Sequence, residues 1–334
     1  MCLGYQSPHS QTLQFFVKTV NFVMPEGTVT KSTGSWYTVR LDDGTRVDCR
    51  LRGKFRTSGI RTTNPVAVGD RVNIAIEAGK NTGAITSIGK RDNYIIRRSV
   101  KLSKASHIIA ANIDQAWLIA TLAMPRTSTG FIDRFLITAE AYHIPAGLIF
   151  NKLDVYDDQL LSDLRRLTAL YQSIGYKCFV ASALRGDGIA EIREALKGKT
   201  TLLTGHSGTG KSAIINAIEP ELDVKTREIS HYHKKGKHTT TFAEMFELSF
   251  GAFIIDTPGI QEFSLTDFDR KEVWERFPEM RAISMDCQFN NCTHTHEPKC
   301  AVKKGLENGS ISTMRYNNYL SILNDEQLDI NAWE

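Results

Sequence analysis

Four short motifs, each suited to one part of a nucleotide, lie along this 334-residue chain in an unusual order. Asn151-Lys152-Leu153-Asp154 comes first and Ser182-Ala183-Leu184 second; both suit the edge of a base. The phosphate loop Gly205-His206-Ser207-Gly208-Thr209-Gly210-Lys211-Ser212 follows, and then Asp256-Thr257-Pro258-Gly259. Nucleotide switches built from these pieces ordinarily begin with the phosphate loop and end with the base-reading pieces. Here the two halves are exchanged, so one pocket must be closed by a cyclically shifted chain. All four motifs directly follow a predicted strand, and ligands on parallel sheets sit at the carboxyl ends of strands.

The glycines of the phosphate loop let backbone N–H groups, from Gly205 to Ala213, converge on anionic oxygens at a helix start. Lys211 can reach the β- and γ-phosphates, and the Ser212 hydroxyl can hold Mg²⁺. Alone, the loop does not separate ATP from GTP. Asp154 supplies that choice, because its carboxylate can accept from guanine N1–H and the exocyclic amine, donors that adenine lacks there. Asn151 can reach the base edge and the Lys152 stem can lie over its face. With Ser182 and Ala183 after the next strand, GTP is the expected nucleotide. Asp256 can hold Mg²⁺ through water, and the Gly259 N–H can sense a γ-phosphate.

Between the phosphate loop and Asp256 lies Lys234-Lys235-Gly236-Lys237-His238-Thr239-Thr240-Thr241. A threonine here is needed to close on Mg²⁺ and the γ-phosphate in a loop that orders with GTP. Three in a row leave the ligand open, with Thr240 favoured. Ile260 stands where many GTPases carry a glutamine that orients the attacking water. An apolar residue cannot do that, so either turnover is slow or another group serves. His238 is the candidate, and contact with RNA or solvent is its alternative role.

Charge divides the chain. Residues 25–104 hold 16 Lys/Arg against 7 Asp/Glu, whereas residues 105–334 hold 24 against 30. A basic module joined to a mildly acidic one suggests that the first faces a polyanion. That module reads as short alternating strands, over 37–41, 46–51, 66–74 and 83–88, separated by turns such as Asp42-Asp43-Gly44. The pattern fits a small OB-type β-barrel. The run Arg50-Leu51-Arg52-Gly53-Lys54-Phe55-Arg56 suits a phosphate backbone with base stacking, or else is a solvated loop.

From residue 114 the period changes. Strands at 116–121, 147–150, 177–181 and 200–203 alternate with helices near 131–142, 159–174 and 189–196, which argues for a parallel sheet covered by helices. After about residue 268 the chain turns helical and polar, ending in a helix near 311–323. The expected divisions are an extension over 1–24, an OB-type domain over 25–104, an α/β nucleotide domain over 105–267 and a small helical domain over 268–334.

Cys287, Cys292, His294 and Cys300 offer three thiolates and an imidazole within fourteen residues. That is a closed Cys₃His set for one structural Zn²⁺, with His296 a rival to His294. Cys2, Cys49 and Cys178 read as ordinary residues. The scattered cysteines form no disulfide framework, no apolar run approaches the roughly 20 residues of a membrane span, and no secretory start is present. A cytoplasmic protein is expected, and nothing demands more than a monomer.

Taken together from Met24 on, these residues resemble the ribosome small subunit-dependent GTPase A family. The resemblance implies an α/β fold: a circularly permuted phosphate-loop GTPase domain with an N-terminal OB-type β-barrel and a C-terminal helical zinc-binding domain. It implies a GTPase using GTP/GDP and Mg²⁺ that binds the small ribosomal subunit and its rRNA late in assembly. Turnover would be stimulated by the subunit and would promote release. Ile260 matches the family's apolar residue, and its proposed catalytic histidine falls on His238, beside Lys211 and Thr240. One departure is Lys299, where members usually carry glycine before the last cysteine; this should bend the knuckle without removing a ligand. Two other classes stay open: a phosphate-loop ATPase or kinase whose Asn151–Asp154 motif is accidental, and a non-enzymatic RNA-binding protein stabilised by GTP.

Overall fold

The computed structural model describes residues 24–51, 65–77, 79–98, 106–222, 243–256 and 270–324. The first strands are β1 (Glu26–Ser32), β2 (Tyr37–Leu41), β3 (Arg46–Leu51), β4 (Arg71–Ile76) and β5 (Thr82–Ile88). They pair in the circuit β1-β2-β3-β5-β4 and back to β1, with only β3–β5 parallel. This closure is the five-stranded Greek-key barrel of an OB-fold, and it removes the sheet edges. Val29, Val39, Val47, Val72, Ile74 and Ile85 alternate inward to fill it.

The run expected as one strand over 66–74 becomes a strand only at Arg71. Gly69 turns the chain with φ +90°, and a Cβ there would sit 2.0 Å from the Ala111 carbonyl. Asp70, fully buried, accepts from the Ala67 N–H at 2.8 Å and pairs with Arg91 at 2.6 Å, so the polar turn is satisfied internally. An unanticipated hairpin, β6 (Tyr94–Arg98) with β7 (Ser106–Ala111), follows the barrel and touches it through Val68 and Ala110.

The second body is a sheet in the order β10-β9-β8-β11-β13-β12. Its strands are β8 (Gln115–Ala120), β9 (Ala146–Phe150), β10 (Lys177–Val180), β11 (Thr200–Gly205), β12 (Glu244–Glu247) and β13 (Phe253–Asp256). All pairings are parallel except β12–β13. Every residue of β8 is buried, as a strand covered on both faces requires. Leu118 and Ala120 face α1 (Thr129–Ala141) and α2 (Asp158–Ile174) in one core cluster; Trp117 and Ile119 face α3 (Ile189–Leu196) and α4 (Lys211–Ile218) in another.

The third body gathers α5 (Pro278–Ser284), α6 (Ala301–Glu307) and α7 (Thr313–Leu323) around Phe277, Met280, Val302 and Tyr319. It docks on α1 through Ile137, which belongs to its core. Beside that contact Asp133 and Arg315 are fully buried and paired at 2.5 Å. Arg315 also forks onto Glu279 at 2.7 and 3.0 Å, while Asp133 accepts from Tyr171 Oη and Asn318 Nδ2. The barrel meets the sheet at its other end, where Lys31 of β1 pairs with Glu244 of β12. Arg40 forks onto Glu247 at 2.7 and 2.5 Å there. No helix among the described residues is long and apolar enough to cross a membrane.

Candidate nucleotide site and metal centre

The phosphate loop runs from the end of β11 to the start of α4, the strand-to-helix setting its chemistry needs. Only β8 separates β11 from β9, whose end delivers Asn151. Asn151, almost fully buried, donates from Nδ2 to the Thr209 carbonyl at 2.9 Å. Its Oδ1 accepts from the Ala183 N–H at 3.2 Å. One amide therefore ties together three motifs that are far apart in the chain. Gly210 makes this possible: it adopts φ +91°, and a Cβ there would lie 2.3 Å from Asn151 Nδ2. Inside the loop, Thr209 donates its N–H and its hydroxyl to the His206 carbonyl at 3.3 and 2.9 Å.

Lys152 takes a left-handed φ of +68°, and its ammonium donates to the Met124 carbonyl. Asp154 follows in a single turn, Leu153–Val155. Its carboxylate accepts from the Ser182 hydroxyl at 2.5 Å, and Ser182 Oγ accepts in turn from the Arg185 N–H at 3.1 Å. The Ser182 hydroxyl holds the Asp154 carboxyl below its ordinary pKa, with Arg185 and Lys152 assisting. Asp154 is thus an anionic acceptor at neutral pH, as guanine recognition demands.

Several supporting groups carry no motif signature. Tyr156 Oη donates to the Asn151 carbonyl at 2.6 Å and accepts from the Leu122 N–H at 2.9 Å. Phe131 of α1 packs on His206, ring centroids 3.9 Å apart and tilted by 34°, and burial lowers the His206 pKa. Neither was foreseen. An aromatic residue near a helix start reads as core, and only the short step from Asp154 to Tyr156 hints at a link.

Asp256 ends β13, in register with Leu203 of β11, so its backbone lies beside the phosphate-loop strand. The Asp256 side chain, Gly259, His238, Thr239, Thr240 and Thr241 lie outside the described residues, as do Arg52, Lys54, Phe55 and Arg56 of the basic run.

In the third body the ligand atoms of Cys287, Cys292, His294 and Cys300 all lie within 4.8 Å of one another. His294 Nδ1 is 3.6 Å from Cys287 Sγ and 3.4 Å from Cys300 Sγ; the two sulfurs are 4.0 Å apart. A tetrahedral zinc with bonds of about 2.3 Å to sulfur and about 2.0–2.1 Å to nitrogen needs neighbours roughly 3.5–3.8 Å apart. The donor set and its spacing fit zinc. Backbone N–H groups of Ala301 and Lys303, at the start of α6, donate to Cys287 and Cys300 sulfurs at 3.3 and 3.5 Å. Tyr316 and Tyr319 brace the knuckle through the His294 and Thr293 carbonyls at 2.7 and 2.5 Å. His296 is exposed and outside the cluster. Cys49 and Cys178 stand apart, their thiols pushed up to about 11 and about 12 by burial.

A base-reading strand encoded before the phosphate loop, joined to it by Asn151, defines a circularly permuted phosphate-loop GTPase. The sequence profile of the RsgA N-terminal domain matches residues 26–85, and that of the RsgA GTPase matches residues 88–266. The chain is 55% identical over 304 residues to the small ribosomal subunit biogenesis GTPase RsgA of Christiangramia forsetii, spanning 90% of this chain and 96% of the relative. It is 54% identical over 302 residues to its namesake from Bacteroides fragilis, spanning 90% and 97%. Among solved structures, YjeQ from Thermotoga maritima superposes with a TM-score of 0.74 at 34% identity, covering 90% of this chain and 98% of that one. YloQ, described as a circularly permuted GTPase, gives 0.71 at 30% identity, covering 92% and 96%. The chain belongs to the RsgA GTPase family. It is accordingly a GTP hydrolase, and the fold and family expected from its motifs are borne out.

Proposed function

We propose that this GTPase binds the small ribosomal subunit and its rRNA during late maturation, hydrolysing GTP to GDP and phosphate in a cycle that the subunit stimulates and that ends in release. The relatives' names support the partner. The observation that supports the site is the Asn151–Thr209 hydrogen bond, which joins the proposed base-reading segment to the phosphate loop. A cytoplasmic monomer fits this role. Domain limits of 25–104, 105–267 and 268–334 are proposed with it, the hairpin β6–β7 spanning the first junction.

In this reading Asp154 accepts from the guanine N1–H and amine, the Lys152 stem covers the ring, and Asn151, Ser182 and Ala183 fix the base wall. Backbone from Gly205 to Ala213 surrounds the phosphates and Lys211 neutralises the β- and γ-oxygens. Ser212, Thr240 and Asp256 would hold Mg²⁺, which supplies charge neutralisation at the transferring phosphoryl group. Gly259 senses the γ-phosphate, and His238 orients the attacking water that Ile260 cannot. Cys287, Cys292, His294 and Cys300 would hold one structural Zn²⁺.

Two measurements test it. GTP turnover with and without purified small subunits should rise steeply with them, and flat turnover overturns the partner. Asp154→Asn should weaken guanine nucleotides and admit xanthine nucleotides, whose C2 carbonyl needs a donor; unchanged preference overturns the base site.

A further inference from the structure

The outward face of β2 and β3 is divided between two tasks. Residues alternate along these strands, so Thr38 and Arg40 of β2 and Arg46, Asp48 and Arg50 of β3 point away from the barrel core. At one end, Arg40 and Arg46 reach Glu247 of the GTPase sheet. In the middle, the Thr38 hydroxyl donates to Asp48 at 2.9 Å, so that carboxylate is engaged. At the other end, Trp36 stands one position before the Tyr37–Cys49 pair and Arg50 one position after it. The two side chains meet there, the Arg50 guanidinium 4.0 Å from the indole centroid.

This pair is built and exposed. The turn between β1 and β2 is closed by the Thr33 N–H and hydroxyl, which donate to the Trp36 carbonyl at 2.9 and 3.2 Å and fix the indole's root. Trp36 keeps 36% of its surface exposed, so part of the indole stays open to solvent. Arg50 opens the basic run that continues through Arg52, Lys54 and Arg56. OB-folds take oligonucleotides on the face of strands 2 and 3 and on the β1–β2 loop. An aromatic ring with a cation beside it is a stacking platform for a base, and every base offers a π-face whatever its sequence.

We propose that Trp36 and Arg50 form a stacking site for one unpaired base of RNA. The base lies on the indole surface that Arg50 leaves exposed, and the guanidinium takes the adjoining phosphate. Recognition is of an unpaired nucleotide rather than a duplex, because a base inside a helix has no free face to offer. This deepens the ribosomal reading above and rests on it.

The test measures binding of the full-length protein, with a non-hydrolysable GTP analogue, to purified small subunits at several salt concentrations. Parallel arms use a short single-stranded oligoribonucleotide and a duplex of equal length. Trp36→Ala should weaken subunit binding by about ten-fold, within the range of one lost stacking contact, with the salt slope unchanged. Trp36→Phe should recover most of it, and the single strand should bind better than the duplex. Arg50→Ala should lower the salt slope by about one. Urea midpoints of the variants check folding. Wild-type-like binding by folded Trp36→Ala, or equal binding of duplex and single strand, overturns the stacking site. Failure of the wild-type protein to bind small subunits at all overturns instead the ribosomal reading beneath it.

Discussion

Lys299 sits at φ +53°, a left-handed conformation that suits glycine, one residue before a zinc-ligand candidate. Glycine adopts this backbone at no steric cost, and lysine does not. A Cβ in this region costs about 1–2 kcal/mol. Lys299→Gly should therefore stabilise the knuckle by up to about 1 kcal/mol, the relief being offset by greater freedom in the unfolded chain. Chemical denaturation of the zinc-loaded protein measures it. Ser182 makes a second residue-scale prediction. Its hydroxyl holds the Asp154 carboxyl low, and in the proposed base-reading role the ionised form is the one with both oxygens free to accept from guanine's two donors. GDP affinity should fall as pH drops through the Asp154 pKa. Ser182→Ala lets that pKa rise, so the loss should begin at higher pH, read from GDP titrations across acidic buffers. Both groups are visible in sequence because their chemistry is local. Tyr156 and Phe131 act through contacts with Asn151 and His206 that no spacing encodes.

Among the elements, α1 does the most joining. One end presents Phe131 to the phosphate loop, and the middle buries Asp133 and Ile137 against the third body. Arg315, fully buried between Asp133 and Glu279 and stacked 4.6 Å from the Phe277 ring, holds that junction. Removing one partner of a buried ion network strands the others without solvent, at roughly 3–5 kcal/mol. Arg315→Ala should destabilise the protein by that order in urea unfolding. Arg315→Met combined with Asp133→Asn and Glu279→Gln should recover part of the loss, because fewer charges stay buried. Periodicity revealed the long elements well: the helix expected near 159–174 is α2, and the one near 311–323 is α7. Some short pieces escaped it. Strand β12 has four residues, and the β6–β7 hairpin pairs across a gap that carries no turn signature. The strand expected over 66–74 failed at its start because Gly69 and Asp70 make a buried polar turn inside an apolar run.

For the whole molecule, motif order disclosed the permutation, and the charge split foreshadowed a basic barrel beside an acidic sheet. How the bodies meet was not legible, because Lys31–Glu244 and Arg40–Glu247 join residues more than two hundred positions apart. Glu247 is only partly exposed and receives a forked guanidinium, so this contact is stronger than an isolated surface pair. Glu244→Ala with Glu247→Ala should free the barrel from the sheet, seen as a larger radius of gyration in small-angle scattering with both bodies still folded. An unchanged radius would mean that covalent linkage and apolar contact suffice to seat it.

The edge that the barrel grips leads directly into β13 and Asp256, and it begins where the threonine-bearing segment ends. A partner that held the barrel would therefore have a mechanical grip on the rim of the GTPase sheet. A pull or twist on the barrel would reach the strand that leads into Asp256 through this seam, without crossing the protein interior.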